Sequence, residues 1–572
     1  MSAIRTPGRT FWATALLIAL LAALPYANAM QAGFVFDDVG VIRDNPVVQR
    51  DPPTAVFTAV YEPGFLYRPL TMLTYVANAR LSPAPWGFHL ANVGLHVLVA
   101  LLARGLAWRL LDTQFAAAVA ALLFAVHPVH TEAVTGVVGR AELLAALAAF
   151  GTLLALARAL DAAGRGRVAW MGASILAFAA GLLAKESAFT IVGLVAVLHW
   201  RLAPRASFAD RVRLLLPYAV VGAAYLGLRV VVVGALGLPA PPGSLDNVLA
   251  HVDLATRIRT ALIVLWEYVS LLAFPLTLSA DYSFNAVPLA VSNADPRLLL
   301  AVALLGGLAL AVIAAARRAP ALLVATLFTV IPLALTANLL VPIGTIKAER
   351  LLYLPSFGWC LACGWLLARL AAARPRTAVA LVSMTVMLFG TRTWLRNRDW
   401  RDERTLYAAT VATAPNSAKA HHNLAVALQR DGELEESMVH FRRALEIYPD
   451  YASAAFGIGH LYTLKGLDAG AVPWYQEALR RDPHFAKAHL QLGMIRQRHR
   501  EYAAAEAAFR AGLESEPDNP LLLVNLAAVR LSQGDRGGAQ AALRRLDRVT
   551  SDAAAVPAVV AEARRQIEVA LP

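Results

Sequence analysis

Residues 377–415 read TAVALVSMTVMLFGTRTWLRNRDWRDERTLYAATVATAP, and the chain changes character inside this stretch. Residues 377–395 form an apolar run about as long as a membrane-spanning helix needs. From Arg396 onward, charged residues become frequent and the composition is that of a soluble protein. The stretch therefore predicts a membrane-embedded domain over residues 1–395 and a soluble part after it.

The composition supports this division. Of the 572 residues, 58% are hydrophobic and 16% are charged, and the mean hydropathy is +0.54. A soluble globular chain carries about 25% charged residues, so a set of soluble domains is excluded for most of the sequence. Disorder over most of the chain is excluded by the high apolar content. The two cysteines, Cys360 and Cys363, lie in an apolar run, which favours packing over a disulfide, redox or metal site.

Toward the C-terminus the sequence repeats every 34 residues. The period is set by Pro415, Pro449, Pro483 and Pro517. Other offsets carry one residue type each: small at Ala425, Gly459, Gly493 and Ala527, aromatic at Phe441, Tyr475 and Phe509, and small at Ser437, Ala471, Ala505 and Ala539. This is the pattern of tetratricopeptide (TPR) repeats. It predicts a lead-in half-repeat at 396–415 and a TPR domain at 416–572, whose groove binds a peptide or protein partner.

Toward the N-terminus the sequence predicts eleven membrane spans. They cover residues 11–30, 88–110, 114–130, 141–160, 168–184, 188–203, 214–235, 297–316, 320–340, 350–370 and 377–395. A further apolar region, 257–275, is predicted to be a re-entrant or surface helix in an outer loop. The stretch that ends in Ala27-Asn28-Ala29 also resembles a cleavable signal peptide, which is an alternative for the first span.

The basic residues decide this topology. The net charge is +13, which in a membrane protein indicates cytoplasmic loops rather than nucleic-acid binding. If 257–275 does not cross, one side collects Arg5/Arg9, Arg104/Arg109, Arg165/Arg167, Arg201/Arg205/Arg211/Arg213, Arg317/Arg318 and Arg369/Arg374/Arg376. The N-terminus is then cytoplasmic, and the TPR domain lies outside. Four residues do not follow the rule, since they come just after the last span: Arg392, Arg396, Arg398 and Arg401.

The polar residues that chemistry needs converge on the outer face in this topology. Asp37 and Asp38 follow the first span, and a carboxylate there can act as general base for an acceptor hydroxyl. Lys185-Glu186 lies between two apolar helices, where intramembrane charges usually mark function. Together with Arg140 and Arg350, Lys185 could hold a phosphate group.

A metal site is weakly indicated. His127 and His130 lie three residues apart with Glu132 nearby, which are ligand types that zinc accepts. Pro128 disturbs helical facing and no third ligand is fixed by the spacing, so a metal is not supported. No cofactor is predicted from the residues alone.

The order of motifs resembles the transmembrane-and-TPR (TMTC-type) protein O-mannosyltransferases and their bacterial relatives, of the GT-C superfamily. The resemblance rests on Phe36-Asp37-Asp38 with Asn45, Tyr67–Thr71, Trp86–Asn92 with His96, Phe124–Val134, Gly139–Leu144, Lys185-Glu186, Asp281-Tyr282-Ser283, Ala348–Ser356 and the TPR array. It implies an all-α membrane glycosyltransferase domain of the GT-C type with its active site at the outer membrane surface. The TPR array is shorter than in eukaryotic members. The resemblance therefore implies the fold more directly than it implies the identity of the sugar.

The resemblance also implies the reaction. The donor is a polyprenyl-phosphate sugar, mannose in the eukaryotic branch, and the acceptor is a Ser/Thr hydroxyl of an exported protein. Asp37 or Asp38 is the implied catalytic base. Residues expected to bind the donor phosphate or substrate are Arg68, His127, His130, Arg140, Lys185, Glu186, Asp281, Glu349 and Arg350. We therefore expect a multi-pass protein of the bacterial inner membrane with its active site and TPR domain on the periplasmic side.

Two other readings remain at this point. A transporter or flippase for a lipid-linked substrate would predict internal repeats among the spans, which the sequence lacks. A membrane-anchored TPR scaffold without catalysis would leave the outer carboxylates and basic residues without a role.

Overall fold

The computed structural model describes residues 9–60, 66–111, 113–234, 242–339, 341–551 and 558–570. These residues are nearly all helical and form no β-strand, as the sequence predicts. They divide into two units, Met1–Pro415 and Asn416–Pro572.

The first unit is built from helices α1 to α16, joined by short 3₁₀ turns and loops. Their bounds are α1 Arg9–Ala23, α2 Pro46–Gln49, α3 Pro69–Leu81, α4 Pro85–Leu111, α5 Gln114–Val126, α6 Thr131–Val134, α7 Arg140–Asp161, α8 Gly164–Ala184, α9 Ile191–Leu202, α10 Phe208–Val233, α11 Leu254–Ala273, α12 Pro296–Ala315, α13 Pro320–Ala334, α14 Ser356–Ala373, α15 Pro375–Asp399 and α16 Glu403–Thr413.

Prolines and capping side chains explain where several of these helices begin. Proline has a preset φ and lacks the N–H that would be unpaired in the first turn, so it suits that position. It opens helices α3, α12, α13 and α15 at Pro69, Pro296, Pro320 and Pro375. Thr113 caps α5 by accepting a hydrogen bond from the backbone N–H of Ala116 at 3.2 Å.

The described residues contain eight helices that are long and apolar enough to cross a membrane. They span Phe11–Gln31, Pro85–Leu111, Val137–Asp161, Gly164–Ala184, Phe208–Val233, Pro296–Ala315, Ser356–Ala373 and Pro375–Asp399. A bent pair, Gln114–Val126 with Pro128–Val134, gives a ninth if its 49° bend is counted within one span. On α12 the large side chains of Leu299, Leu310 and Ile313 are exposed, which suits contact with lipid rather than water. The chain is a multi-pass membrane protein.

The eleven predicted spans exceed the eight or nine helices in the described residues that are long and apolar enough to cross a membrane. Residues 188–203 contain α9, which has 12 residues because Glu186–Thr190 forms a 3₁₀ turn before it. Residues 320–340 contain α13, which has 15 residues. Pro332 removes a backbone donor near its end. A span needs about 20 residues, so neither helix meets that length alone. Residues 235 and 340, at the ends of two predicted spans, lie outside the described residues.

Two features of the predicted topology have direct structural counterparts. The region 257–275 forms α11, which carries Arg257, Arg259 and Glu267 and is not among the helices apolar enough to cross. The segment that resembles a signal-peptide cleavage site is built into the helix bundle. Its Asn28 donates to the backbone oxygen of Trp394 on α15 at 2.9 Å. Arg5 lies outside the described residues.

Over its described residues, 416–551 and 558–570, the second unit contains four antiparallel helix pairs and one further helix. Their bounds are α17 Ala418–Arg430, α18 Leu434–Ile447, α19 Ala452–Leu464, α20 Asp468–Arg481, α21 Ala486–Arg498, α22 Tyr502–Ser515, α23 Pro520–Ser532, α24 Arg536–Ser551 and α25 Ala558–Ala570. Pro449, Pro483 and Pro517 each stand two residues after a second helix ends. The predicted TPR array is therefore confirmed.

The repeated small and aromatic residues pack against each other. A Cβ added at Gly459 would lie 2.8 Å from the ring of Tyr475, so only glycine allows this approach. Ser437 donates to the backbone oxygen of Ala425 at 2.7 Å. After the fourth pair, α25 buries Val560 and Ile567 in the core of the last repeat and covers its apolar face.

Close packing of α14 on α5 gives a test of the membrane fold. A Cβ at Gly364 would lie 2.5 Å from the backbone oxygen of Ala116 and 3.2 Å from the Cβ of Ala120. We expect Gly364→Val to lower the free energy of unfolding by about 1–3 kcal/mol, because the core cannot take the added volume without moving a helix. Thermal unfolding in detergent measures this. Gly307→Val on α12 is the matched control, since nothing lies within 4 Å of its added Cβ. Equal stability of the two variants would contradict the packing.

Candidate active site

The loop after the first span holds Asp37 and Asp38 in different environments. Asp38 is 2% exposed; its Oδ1 accepts the backbone N–H of Val138 at 2.8 Å and its Oδ2 that of Val35 at 3.4 Å. Burial raises the pKa of Asp38 to about 7, with a small addition from the charge of Asp37, although the backbone hydrogen bonds oppose the shift. Asp37 is exposed. Asp38 therefore ties the loop to residues 137–138, and Asp37 is the carboxylate that a substrate can reach.

Arg350 faces this loop from a 3₁₀ turn, Glu349–Leu352. Its guanidinium forms an ion pair with Glu132 on α6, and its backbone N–H donates to the same carboxylate at 2.8 Å. Burial lowers the pKa of Arg350, but the charges of Glu132 and Asp37 outweigh burial, so the pKa is raised. Arg350 is thus a cation fixed by Glu132 and further stabilised by the charge of Asp37.

Lys185 belongs to the same site. Its ammonium pairs with the Glu142 carboxylate of α7, and each side chain is 9% exposed. Burial lowers the pKa of Lys185, and the positive charges of Arg68 and Arg350 lower it further. The charges of Arg68 and Arg350 therefore both reach Lys185.

Arg68 and Glu186 form the outer part of this cluster. Arg68 donates through Nε and Nη2 to Oε2 of Glu186 at 3.0 and 2.9 Å. Arg229, on the apolar helix α10, has its Nη1 3.8 Å from Oε1 of the same carboxylate. Burial would raise the pKa of Glu186, but the charge and hydrogen bonds of Arg68 outweigh it and the pKa is lowered.

Arg229 was not among the predicted site residues. The signal was present, because an arginine inside the predicted span 214–235 is costly unless it has a partner or a function. Glu132 and Glu142 were not predicted to pair with the cations of the site. Their pairing with Arg350 and Lys185 depends on contacts across 218 and 43 residues of sequence.

Glu349 and Asp281 hold a neighbouring loop. Oε1 of Glu349 accepts the backbone N–H of Ser279 at 2.5 Å and the hydroxyl of Tyr282 at 2.8 Å. Burial raises the pKa of Glu349 to about 7, although the charge of Arg396 opposes the shift. Asp281 accepts the hydroxyl of Ser283 at 2.5 Å. Both carboxylates are buried and serve the loop at residues 279–283 in this conformation.

Arg140 lies in a different setting from the one predicted. It is 1% exposed, and its guanidinium donates to Asn92 Oδ1 at 2.8 Å, Asn78 Oδ1 at 2.9 Å and the backbone oxygens of Thr74 and Phe88 at 3.2 and 3.1 Å. These contacts join α3, α4 and α7. Arg140 therefore acts as a structural clamp in this conformation, and a phosphate would have to displace protein contacts to reach it.

His127 and His130 also lie in the interior rather than at a substrate surface. Nε2 of His127 contacts the backbone oxygen of Leu272 at 3.0 Å, and Nε2 of His130 contacts the Ser356 hydroxyl at 2.8 Å. Both are fully buried. Within the described residues no group of three or more His, Cys, Asp or Glu could hold a metal ion. The histidines connect the loop to α11 and α14.

Three of the four arginines that do not follow the positive-inside rule are held by protein contacts. Arg396 is buried and pairs with Asp399 at 2.9 Å, Arg401 pairs with Asp402 at 3.0 Å, and Arg392 donates to the backbone oxygen of Leu276 at 2.9 Å. These partners account for the position of the arginines on the outer side. The three residues are therefore weaker evidence against the predicted topology than basic residues without partners would be.

Comparison with known proteins agrees with the motifs. A sequence profile described as "Protein O-mannosyl-transferase TMTC, DUF1736" matches residues 244–309, and a tetratricopeptide repeat profile matches residues 418–451. Protein O-mannosyl-transferase TMTC3 of Mus musculus is 28% identical over 557 residues, which cover 88% of this chain and 60% of that protein. Protein O-mannosyl-transferase TMTC1 of Homo sapiens is 31% identical over 512 residues, covering 78% of this chain and 56% of that protein.

The chain thus spans about 60% or less of the length of these relatives. Among solved structures, YrrB, a TPR protein with an unusual peptide-binding site, is 15% identical with a TM-score of 0.24, covering 35% of this chain and 97% of that one. The resemblance to the TMTC protein O-mannosyl-transferases that the motifs indicated is confirmed: the chain carries their DUF1736 region and TPR repeats and is similar to them over most of its length.

Proposed function

We propose that the chain is a membrane glycosyltransferase that moves a sugar, mannose by analogy with its named relatives, from a polyprenyl-phosphate donor to Ser/Thr hydroxyls of exported proteins. The observation that carries the proposal is the exposed Asp37 carboxylate in a unit that also holds a cluster of paired cations, Arg350, Lys185 and Arg68, near the ends of membrane helices. An accessible carboxylate can act as a general base, and fixed cations can stabilise a phosphate leaving group.

Charge distribution supports an outward-facing site. Near the other ends of the same helices, Arg109 pairs with Asp161 and the Arg104 guanidinium lies 4.0 Å over the ring of Phe11. Excess arginine favours the cytoplasmic side. We therefore propose that the Asp37 loop faces the periplasm of a bacterial inner membrane.

Asp37 is the proposed base, and Asp38 the residue that holds the loop. A general base needs contact with the acceptor hydroxyl, which the exposed Asp37 offers. Both oxygens of Asp38 are engaged by backbone N–H groups. The two neighbouring aspartates thus have separate tasks.

The donor phosphate is proposed to bind at the paired cations. The cations available there are Arg68, Lys185, Arg229 and Arg350, each of which forms an ion pair with a glutamate. Arg140, His127 and His130 are not included, because the protein itself uses their polar atoms.

The reaction balances without a cofactor. Asp37 accepts the proton of the acceptor hydroxyl while the hydroxyl oxygen forms a bond to the anomeric carbon of the sugar. The bond between that carbon and the phosphate oxygen breaks, and the electron pair leaves with the polyprenyl phosphate. Attack opposite the leaving group inverts the anomeric centre. Arg350 and its neighbours stabilise the phosphate as it gains charge. The TPR groove is proposed to bind the acceptor protein or a partner.

Replacing Asp37 tests the base. We expect Asp37→Asn to lower kcat by about 10²–10⁴-fold, the usual contribution of a general base, with thermal stability unchanged because the side chain is exposed. The assay is transfer from polyprenyl-phosphate mannose to a Ser/Thr peptide, followed by mass spectrometry. Asp38→Asn is the matched control, and we expect it to retain more activity. Full activity of Asp37→Asn would refute the proposed mechanism.

Asp38 gives a pH-dependent prediction. Its folded pKa of about 7 lies above the ordinary carboxyl value, so the folded protein binds a proton more tightly than the unfolded chain does. The stability that this proton contributes is present below about pH 4 and is lost as the pH rises toward 7. Asp38→Asn is neutral at every pH and avoids that loss. The variant should therefore gain stability relative to the unsubstituted protein between pH 5 and pH 8. Thermal unfolding at both pH values measures this, and a pH-independent difference would contradict it.

Arg350 and Arg140 should respond differently to substitution. Arg350→Gln removes a cation from the leaving phosphate, and we expect kcat/KM for the donor to fall by about 10²–10³-fold. It should also lower thermal stability, because the buried Glu132 carboxylate loses its partner. Arg140→Gln should lower thermal stability without a specific loss of donor kinetics, because it breaks the buried hydrogen bonds among α3, α4 and α7. The experiment measures donor kinetics and unfolding for both variants. A larger kinetic defect in Arg140→Gln, at matched stability, would overturn the assignment.

A further inference from the structure

The Asp37 loop has an unusual backbone. Phe36, directly before Asp37, has φ of 56°, in the left-handed region that residues with a side chain rarely adopt. Such a conformation is strained and persists only where the surroundings hold it. The contacts of the loop therefore decide where the Asp37 carboxylate lies.

Several of those contacts come from the segment that follows the last span. The backbone N–H of Gly33 donates to the backbone oxygen of Arg401 at 2.9 Å. The ring of Tyr407 on α16 meets the ring of Phe36 edge-on, with centroids 6.5 Å apart and planes at 63°. Tyr407 is 6% exposed, so its ring is held by packing.

Trp400 also supports the Asp37 loop. It is 2% exposed and packs in a small core with Val35 and Ala280. Its ring would lie 3.0 Å from a Cβ at Gly136, directly before the backbone that binds Asp38. One side chain thus contacts the Asp37 loop, the loop at residues 279–283 and the segment at 136–138.

From these contacts we infer that Tyr407 and Trp400 are positioning residues for Asp37. The half-repeat at 396–415 therefore contributes to catalysis through these two side chains. The inference rests on the proposed role of Asp37. Tyr407 touches the residue before the base and not the base itself. Its task is to keep Phe36 in its strained conformation, since a base displaced by about 1 Å loses much of its effect.

The half-repeat is continuous in sequence with the TPR array, because α16 ends at Thr413 and α17 begins at Ala418. It nevertheless belongs to the unit Met1–Pro415. Tyr407, which lies in the half-repeat, thereby affects the catalytic step in the membrane domain.

Tyr407→Leu tests the inference in the full-length protein. We expect kcat to fall by about two- to tenfold, the range set by the loss of one edge-on aromatic pair, with the KM values for donor and acceptor unchanged. Backbone hydrogen exchange over residues 33–38 should accelerate by a similar factor, because the loop opens more often. Tyr407→Phe keeps the ring and should restore both quantities. Ala408→Leu, at the exposed neighbour on the same helix, is the control that should change neither.

The outcomes separate this inference from the proposed function. If Asp37→Asn is inactive while Tyr407→Leu retains its kcat and its exchange rate, the positioning role alone is wrong. If kcat falls without faster exchange at 33–38, or if only the acceptor KM rises, Tyr407 acts by another route and the inference is overturned. If Asp37→Asn keeps full activity, the proposed function fails. Faster exchange in Tyr407→Leu would then still support the contact between Phe36 and Tyr407 as the constraint on this loop.

Discussion

The ion pair between Glu132 and Arg350 is the interaction on which the candidate site depends. It joins helix α6 to a 3₁₀ turn 218 residues away in sequence, and the Glu132 carboxylate is 3% exposed. Removing one member of a buried pair leaves the other charge without compensation, at a cost of about 3–5 kcal/mol. The pair therefore fixes the turn Glu349–Leu352 against α6. Its position lets the charges of Glu132 and Asp37 act on one guanidinium.

The other charges of the site follow the same logic. Lys185 pairs with Glu142, and Arg68 pairs with Glu186, so each cation near the membrane helices has a carboxylate partner. Pairing makes the charges tolerable before any ligand binds. Arg229 adds a further contact, with its Nη1 3.8 Å from Oε1 of Glu186. The carboxylates therefore hold these cations in place for an anionic ligand.

Much of this arrangement could be predicted from sequence, and the failures have physical causes. The apolar runs and the 34-residue period predicted the helices and the TPR pairs, because both patterns depend on local spacing. Arg140 was predicted to bind phosphate because residue type and loop position do not reveal whether a guanidinium already has protein partners. Its partners Asn92 and Asn78 are 48 and 62 residues away in sequence. The contacts of His127 and His130 could not be predicted for the same reason.

The point where the composition changes and the point where the first folding unit ends are different. The contacts of Trp400 explain this difference. Composition changes near residue 396, where apolar residues give way to charged ones. The folding unit extends to Pro415. Between these points Trp400 and Tyr407 are buried, although the sequence around them is polar. The composition of a segment indicates whether it is exposed to water or to lipid. The folding unit to which the segment belongs depends instead on where its few large buried side chains pack. Because those side chains pack around the Asp37 loop, the start of the repeat pattern lies with the membrane helices.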